Sequence, residues 1–203
     1  MHKEILTTEQ VELFPLLKTV SSGYGLVGGT AIALLIGHRR SIDFDLFTEK
    51  SFRSKFLQKK IKSVTKIDRI LVNKEQEFTF FAHDVKVTFY QYPFHIDYTE
   101  RFEKLIYLPD LLTLAVMKAY ALGRRAKWKD YVDLYFIIRD FHSLEEITKK
   151  AREIFEGEFN PKIFRTQLAY FDDINYEEKV EFLPDFEVSE KKIKKALVEF
   201  SLS

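Results

Sequence analysis

The chain has 203 residues, 46% of them hydrophobic and 31% charged, a composition typical of a globular protein with a sizeable core. Its 32 basic and 31 acidic side chains leave a net charge of +1, which excludes a uniformly basic nucleic-acid coat but not a local basic patch. Because the chain has no cysteine, disulfides, thiolate metal sites and cysteine nucleophiles are excluded.

Neither a membrane span nor a signal peptide is indicated by the sequence. No apolar run approaches the roughly 20 residues that a helix needs to cross a bilayer. The first ten residues, MHKEILTTEQ, lack the apolar stretch of a signal peptide. We therefore expect a cytoplasmic protein with no membrane partner.

The N-terminal part of the chain opens with helix and strand patterns in alternation. Thr7 and Gln10 have capping-box spacing, so a helix is expected to begin there, and Pro15 is expected to kink it or to mark its late start. The stretch GLVGGTAIALLIG then predicts a short buried strand ending at Val27, a Gly-Gly turn, and a buried helix over residues 30–37.

The next segments favour strands. In HRRSIDFDLFTEK, three apolar side chains alternate with two carboxylates and a phenylalanine, a pattern that predicts a strand (Ile42, Phe44 and Leu46 against Asp43, Asp45 and Phe47). A polar helix is expected over 51–61, and further strands near 66–72, 77–82 and 85–92, with His83-Asp84 as a tight turn.

From Leu108 onward the pattern is helical, with a second capping box at Ser143 and Glu146 and a last amphipathic helix after Ser189. We therefore predict an α+β protein: a mixed sheet with flanking helices over residues 1–105, and a helical region over 106–203 packed on it as one unit, with the active site in the cleft between them. Eight acidic residues and one lysine lie in the segment 172–190, which is either a solvated face or a partner-binding surface.

A first candidate site is the Gly28-Gly29-Thr30 turn at the strand-to-helix junction. Glycines let the backbone approach a ligand, and a helix N-terminus offers N–H groups with partial positive charge, which suits a phosphate. A Gly-Gly turn followed by threonine is also an ordinary way to start a helix, so both interpretations stay open.

A second candidate is the pair Asp43 and Asp45, which alternate on one strand and so point to the same side a few ångströms apart. Two ionised carboxylates repel unless a cation lies between them, and their hard oxygens favour Mg²⁺ or Mn²⁺. The alternative is a strand with one solvated face. The pair follows the phosphate-type turn by thirteen residues, and the combination is more specific than either part.

Two further candidates lie in the helical part. Lys118 falls on the apolar stripe of its helix, where it either reaches an anion or extends its charged end past the edge of the core. Asp130 and Asp133 lie on neighbouring helical positions in a segment of buried character, so Asp133 is expected to need a partner. The basic residues at 124–129 form either a phosphate-tracking patch or a solvated loop.

Together these motifs resemble the AbiEii/AbiGii-type nucleotidyltransferase toxins, a branch of the polymerase-β-like nucleotidyltransferase superfamily. The branch has a GG-T-A turn and helix, an Arg-x-Ser-x-Asp-hydrophobic-Asp stretch, a lysine-bearing helix and a [Lys/Arg]-Asp-x-x-Asp segment. The matching positions here are Gly28, Gly29, Thr30, Ala31, Arg39, Arg40, Ser41, Asp43, Asp45, Lys118, Lys129, Asp130 and Asp133. The resemblance covers roughly residues 20–140.

The resemblance implies a polymerase-β-like core and metal-dependent transfer of a nucleoside monophosphate from an NTP to a hydroxyl acceptor. Asp43 and Asp45 would hold Mg²⁺ or Mn²⁺, and Lys118 would stabilise the triphosphate. Asp130 or Asp133 would position that lysine or deprotonate the acceptor. The backbone of Gly28, Gly29 and Thr30 would orient the phosphates. Arg39, Arg40 and Ser41 would either contact a phosphate or hold the strand in place.

One departure concerns the superfamily's third carboxylate on a neighbouring strand. The expected strand, VKVTFYQY, carries Lys86, Thr88 and Tyr90 on the relevant side, and Asp84 lies only at its edge. Members of this branch often lack the residue too. The number of metal ions, one or two, is therefore left open by the sequence.

The resemblance also implies partners. Family members act as toxins paired with a cognate antitoxin, and some modify transfer RNA ends, so the expected partners are an NTP, an RNA acceptor and an antitoxin protein. Two alternatives stay open: a small-molecule nucleotidyltransferase of the antibiotic-modifying kind, and a nucleotide-binding interaction module that has lost catalysis.

Overall fold

A computed structural model describes residues 1–122 and 124–202. The chain forms two compact units, and the backbone passes from one unit to the other three times. One unit contains residues 1–37 and 41–110, and is built around a sheet; the other contains residues 38–40 and the chain from Leu111 onward, and is helical. Within the described residues, no helix combines the length and apolarity required to cross a membrane.

The sheet unit contains a five-stranded sheet in the order β1-β2-β5-β4-β3. Its strands are β1 (Gly25–Val27), β2 (Phe44–Thr48), β3 (Arg69–Asn73), β4 (Glu77–Ala82) and β5 (Val85–Gln91). The β2–β5 pair is parallel and the other pairs are antiparallel, so the sheet is mixed. A separate antiparallel hairpin, β6 (Glu100–Phe102) and β7 (Ile106–Leu108), was not among the sequence predictions.

The sheet unit has four helices, of which α1 alone begins at a side-chain N-cap. They are α1 (Thr8–Glu12), α2 (Phe14–Val20), α3 (Gly28–Ile36) and α4 (Ser54–Lys62), preceded by a 3₁₀ turn at Lys3–Ile5. The Thr7–Gln10 capping box is present, and the predicted helix is divided at Leu13, with Pro15 in the first turn of α2. Val11, in α1, is 47% exposed.

The turn between β4 and β5 is the tight one that the sequence predicts. His83 and Asp84 both have positive φ, +51° and +59°, as a two-residue turn between antiparallel strands requires. Along β5 the buried side chains alternate with partly exposed ones, and along β2 the pattern is the same. One face of these strands therefore builds the core while the other carries polar side chains.

The helical unit contains α5 (Leu111–Leu122), α6 (Trp128–Asp140), α7 (Leu144–Phe155), α8 (Pro161–Leu168) and α9 (Glu190–Leu202), with a 3₁₀ turn at Glu156–Glu158. The Ser143–Glu146 capping box opens α7 as predicted. Helix α6 is buried along most of its length and packs against α5 and α9. The α+β prediction, with a mixed sheet followed by a helical C-terminal half, is confirmed.

Candidate nucleotide site and a buried ion network

The glycine turn joins β1 directly to α3. The structure starts the helix at Gly28 rather than at Thr30, and Gly28 adopts the left-handed region with φ +74°. A Cβ at this position would collide with Oδ2 of Asp45. Glycine is therefore needed here for its backbone conformation and because the Asp45 carboxylate occupies the space of a side chain.

Thr30 ties the first turn of α3 to the segment that carries the carboxylates. Its hydroxyl donates a hydrogen bond to the backbone carbonyl of Asp43, 2.5 Å away, and lies 3.1 Å from Oγ of Ser41. The carbonyl of Ser41 also accepts a hydrogen bond of 3.0 Å from the buried amide of Gln10. The Thr30 side chain thus fixes the backbone ahead of β2.

Asp43 and Asp45 are close in sequence, but only Asp45 lies within a strand. Asp45 is within β2, paired with Thr88 of β5, whereas Asp43 lies one residue before the strand. The preceding Ile42, predicted to be in the strand, is 53% exposed. Both carboxylates are partly exposed, so a ligand can reach them from solvent.

The strand beside β2 is β5. It is the strand VKVTFYQY, on which the sequence analysis looked for a third carboxylate. Nζ of Lys86, on β5, lies 2.5 Å from Oδ2 of Asp43. A cation therefore stands on the strand on which a third carboxylate was sought, and it balances the charge of Asp43. This ion pair lies next to solvent, with Lys86 and Asp43 side chains 31% and 26% exposed.

In the helical unit, Lys118 of α5 and Asp130 and Asp133 of α6 form a buried ion network. Nζ of Lys118 contacts Asp130 and lies 2.9 Å from Oδ2 of Asp133. Arg39 binds the Asp133 carboxylate through two N–H groups, at 2.7 and 2.8 Å. Arg125 extends the network to solvent through a 3.1 Å hydrogen bond to Asp130.

Burial and charge oppose each other in this network. Burial alone would raise the pKa of Asp133, but the charges of Arg39 and Lys118 outweigh it and hold the pKa well below its usual value. The pKa of Asp130 is also lowered, since Lys118 and Arg125 outweigh its desolvation. Burial would lower the pKa of Lys118, yet the two carboxylates raise it, so the lysine keeps its charge.

A histidine missed by the sequence analysis completes the network. His38 is fully buried, and its Nε2–H donates a 2.7 Å hydrogen bond to Oδ1 of Asp133. Desolvation lowers its pKa despite the attraction of Asp133, and its Nδ1 has no hydrogen-bond partner in the described part of the chain. The ring is therefore neutral. No local pattern marks His38 as buried, because its partner lies 95 residues away.

The basic loop and the acidic segment, two features left open by the sequence, neutralise each other. Glu178 contacts both Lys127, at 2.5 Å, and Lys129, and these hydrogen bonds outweigh burial and lower the Glu178 pKa to about 2. Arg40, another predicted phosphate ligand, donates a 2.8 Å hydrogen bond to Glu181. The acidic segment is thus partly folded onto the cations of the helical unit.

The predicted site residues accordingly form two groups. The sheet unit brings together the glycine turn and the carboxylate segment, which includes Ser41. The helical unit brings together Arg39, Lys118, Asp130 and Asp133. The catalytic and ligand-binding roles of both groups stay predictions.

Gly28→Ala should destabilise the protein and displace the Asp45 carboxylate. A left-handed conformation costs a non-glycine residue about 1–2 kcal/mol, and the collision with Asp45 adds to that cost. Denaturant unfolding measures the loss. The matched control is Gly23→Ala, where an added Cβ meets nothing within 4 Å and should change the free energy of unfolding by less than about 0.5 kcal/mol. Equal effects at the two glycines would contradict this assignment.

His38 should make the stability depend on pH near neutrality. Because its pKa is lowered in the folded state, the unfolded chain binds a proton first as the pH falls below about 6.5, and stability is lost there. Between pH 7.5 and 5.5, the stability advantage of wild type over His38→Gln should shrink by up to about 1.4 kcal/mol. The comparison at pH 7.5, where His38 is neutral in both the folded and the unfolded chain, is the control. A difference in the free energy of unfolding between wild type and His38→Gln that does not change with pH would argue against a buried neutral ring.

Comparison with known proteins places this geometry in a family. Residues 24–200 match the family described as nucleotidyl transferase AbiEii toxin of a type IV toxin–antitoxin system. An uncharacterized protein of Aquifex aeolicus (strain VF5), aq_aa25, is 31% identical over 195 residues, covering 90% of this chain and 92% of its own.

Solved structures share the fold at low sequence identity. The nucleotidyltransferase toxin MenT4 of Mycobacterium tuberculosis H37Rv aligns with a TM-score of 0.64 and 13% identity, over 95% of this chain and 81% of its own. JHP933 of Helicobacter pylori aligns with a TM-score of 0.58 and 13% identity, over 100% and 92% of the two chains. With the family match over most of its length, the chain belongs to the AbiEii family of nucleotidyltransferase toxins.

Proposed function

We propose that this toxin nucleotidyltransferase moves a nucleoside monophosphate from an NTP to a hydroxyl group of an RNA acceptor, with a divalent metal ion. The observation that carries the proposal is the contact between the Asp45 carboxylate and the backbone of Gly28 at the start of α3. It puts a hard oxygen ligand beside an anion-binding helix end, which are the two things that a metal-bound triphosphate needs.

The donor set fits Mg²⁺ or Mn²⁺ supported by substrate. In the described residues, no group of three or more acidic or histidine side chains could hold a metal alone. Asp43 and Asp45 supply two carboxylates, and Mg²⁺ is usually bound through one or two carboxylates with waters and substrate phosphates. Asp43 and Asp45 would hold the ion, which would supply positive charge to offset the negative charge of the triphosphate and of the departing pyrophosphate.

The residues of the chain orient the substrate around these carboxylates. Val27 has no polar side chain to cap α3, so backbone N–H groups at Gly28 and Gly29 are suited to the β- and γ-phosphates. Thr30 keeps the Asp43 segment against the same helix turn. Lys86 offsets the charge of Asp43 before substrate arrives.

Lys118 supplies a cation beyond the needs of its own network. Among the described residues, Arg39, Lys118 and Arg125 form ion pairs with two carboxylates, those of Asp130 and Asp133, and His38 is neutral. Each carboxylate would keep an arginine if the lysine were removed. We therefore assign Lys118 to an anionic group of the substrate, and Asp130 and Asp133 to holding its ammonium group in place.

The toxin class of the family supports a partner as well. We infer a cognate antitoxin protein encoded beside this chain, as the family's description as a toxin–antitoxin component suggests. Reading the neighbouring genes for a small DNA-binding reading frame is the direct check, and a gene standing alone would argue against the pairing.

Asp45→Asn should abolish transfer without unfolding the protein. Purified protein is incubated with Mg²⁺, total RNA and each labelled NTP in turn, and transfer to RNA should fall at least about 100-fold in the variant, because the metal loses a charged ligand. The surface variant Asp97→Asn, 78% exposed, is the matched control and should keep full activity.

Ligand-induced stabilisation gives an independent measurement of the same site. At about 100 times Kd, Mg²⁺-NTP should stabilise wild type by about 2.7 kcal/mol and raise Tm by about 5–11 °C, and Asp45→Asn should lose most of that shift. Label moving to a small hydroxylated compound instead of RNA would favour the antibiotic-modifying class. Melting that is indifferent to all four nucleotides would refute the nucleotide site.

Lys118→Met should separate a catalytic from a structural lysine. We expect a folded protein that loses less than about 3 kcal/mol, because neither carboxylate is left unpaired, together with at least about a 100-fold loss of transfer. Lys149→Met, on the exposed face of α7, is the control. A variant that is destabilised but transfers normally per folded molecule would make Lys118 structural, and Lys118→Arg, which keeps the charge, tests rescue.

A further inference from the structure

Helix α4 carries a concentrated positive charge that the proposed reaction does not use. Residues 53–66 contain six basic side chains and no acidic one, although the whole chain has a net charge of only +1. The six are Arg53, Lys55, Lys59, Lys60, Lys62 and Lys66. This basic face of α4 belongs to the sheet unit, and α4 is the helix that follows β2 and its carboxylate.

The helix presents these charges outward in an ordered row. Leu57 and Ile61 are the buried side chains of α4, which packs against α2. Lys55, Lys59 and Lys62 follow each other at intervals of four and three residues, so they lie on one side of the helix about 4.5–6 Å apart along its axis. A row of cations at that spacing matches successive phosphates of a nucleic-acid strand.

The cations of α4 itself lack internal counter-charges. In residues 1–122 and 124–202, no salt bridge within 4.0 Å is formed by Lys55, Lys59 or Lys62, and Lys66 alone of the basic face has a carboxylate nearby, Asp68 at 3.5 Å. The basic loop of the helical unit is different, because its lysines are neutralised by the acidic segment. Exposed charge on α4 is therefore a local feature and not a consequence of the composition.

An aromatic side chain stands among these lysines. Phe56 is 68% exposed, next to Lys55 in sequence and one helical turn from Lys59 and Lys60. Water contact of that extent is unfavourable for an apolar ring without a partner. A basic groove or face with an exposed aromatic ring is the usual arrangement for single-stranded nucleic acid, in which phosphates contact the cations and a base stacks on the ring.

We propose that the basic face of α4 binds the phosphate backbone of the RNA acceptor and that Phe56 stacks on an unpaired base. The proposal rests on the proposed function for the choice of RNA. A second copy of this chain is a weaker candidate for the occupant, because the acidic segment that would complement α4 already uses Glu178, Glu181 and Glu190 for its own cations.

The test measures binding of a fluorescein-labelled RNA hairpin with a single-stranded 3′ end, without NTP or metal, at several salt concentrations. The variant Lys55→Gln/Lys59→Gln/Lys62→Gln should bind at least about tenfold more weakly at 0.1 M salt, and the slope of log K against log[salt] should fall in magnitude by about 2–3. Phe56→Ala should weaken binding by about fivefold or more with the slope unchanged.

The matched control is Lys191→Gln/Lys192→Gln/Lys195→Gln on α9, which removes the same charge from exposed positions of the helical unit. It should leave RNA binding within about twofold of wild type. The thermal shift with Mg²⁺-NTP, measured on all variants, should equal that of wild type and shows that the variants are folded.

Three results would overturn the proposal. They are equal weakening by the α9 control, no RNA binding by wild type, and salt-sensitive self-association of wild type in sedimentation that the α4 variant abolishes. Since RNA binding needs neither NTP nor metal, its failure alongside normal NMP transfer rejects only the α4 surface. Normal RNA binding without transfer rejects only the proposed reaction.

Discussion

The carboxylate of Asp133 accepts hydrogen bonds from two N–H groups of Arg39 and from the imidazole of His38, and it forms an ion pair with the ammonium of Lys118. A buried carboxylate with so many donors is expensive to disturb, because each donor would lose its acceptor in an environment without water. Through this one group the residues at 38–40, which follow α3 directly, become part of the helical unit. The positions of His38, of Arg39 and of Lys118, the proposed substrate-binding lysine, therefore depend on Asp133.

Features determined by near neighbours were predictable from the sequence, and those determined by distant partners were not. Both capping boxes, at Thr7 and Ser143, were predicted because each needs only a span of four residues. The approach of the Asp45 carboxylate to Gly28 was not predicted, although both residues lie within one strand-helix-strand stretch. His38 escaped notice, since nothing near it in sequence indicates a carboxylate 95 positions later. The β6–β7 hairpin has strands too short to show a period.

The net charge of +1 is the sum of an acidic segment at 172–190 and a basic face on α4, among other charges, and the two differ in how far they are paired within the chain. The acidic segment at 172–190 looked like a solvated face or a partner surface, and the structure uses part of it internally, against Lys127, Lys129 and Arg40. The lysines of α4 do not stand out in the sequence, since a polar helix with a buried stripe is common. Pairing decides which charges are available to a partner, and pairing between distant segments is not visible in composition.

The passage of residues 38–40 through the helical unit has a consequence for synthesis of the toxin. Arg39 is added to the growing chain 94 residues before Asp133. At translation rates of about 5–20 residues per second, the arginine waits about 5–20 s for its acceptor, even after all strands of the sheet have emerged. The segment that leads into Asp43 and Asp45 thus gains its final anchor only late in translation. In a growing chain, the segment before Asp43 and Asp45 therefore lacks its contact with Asp133 until most of the helical unit has been made.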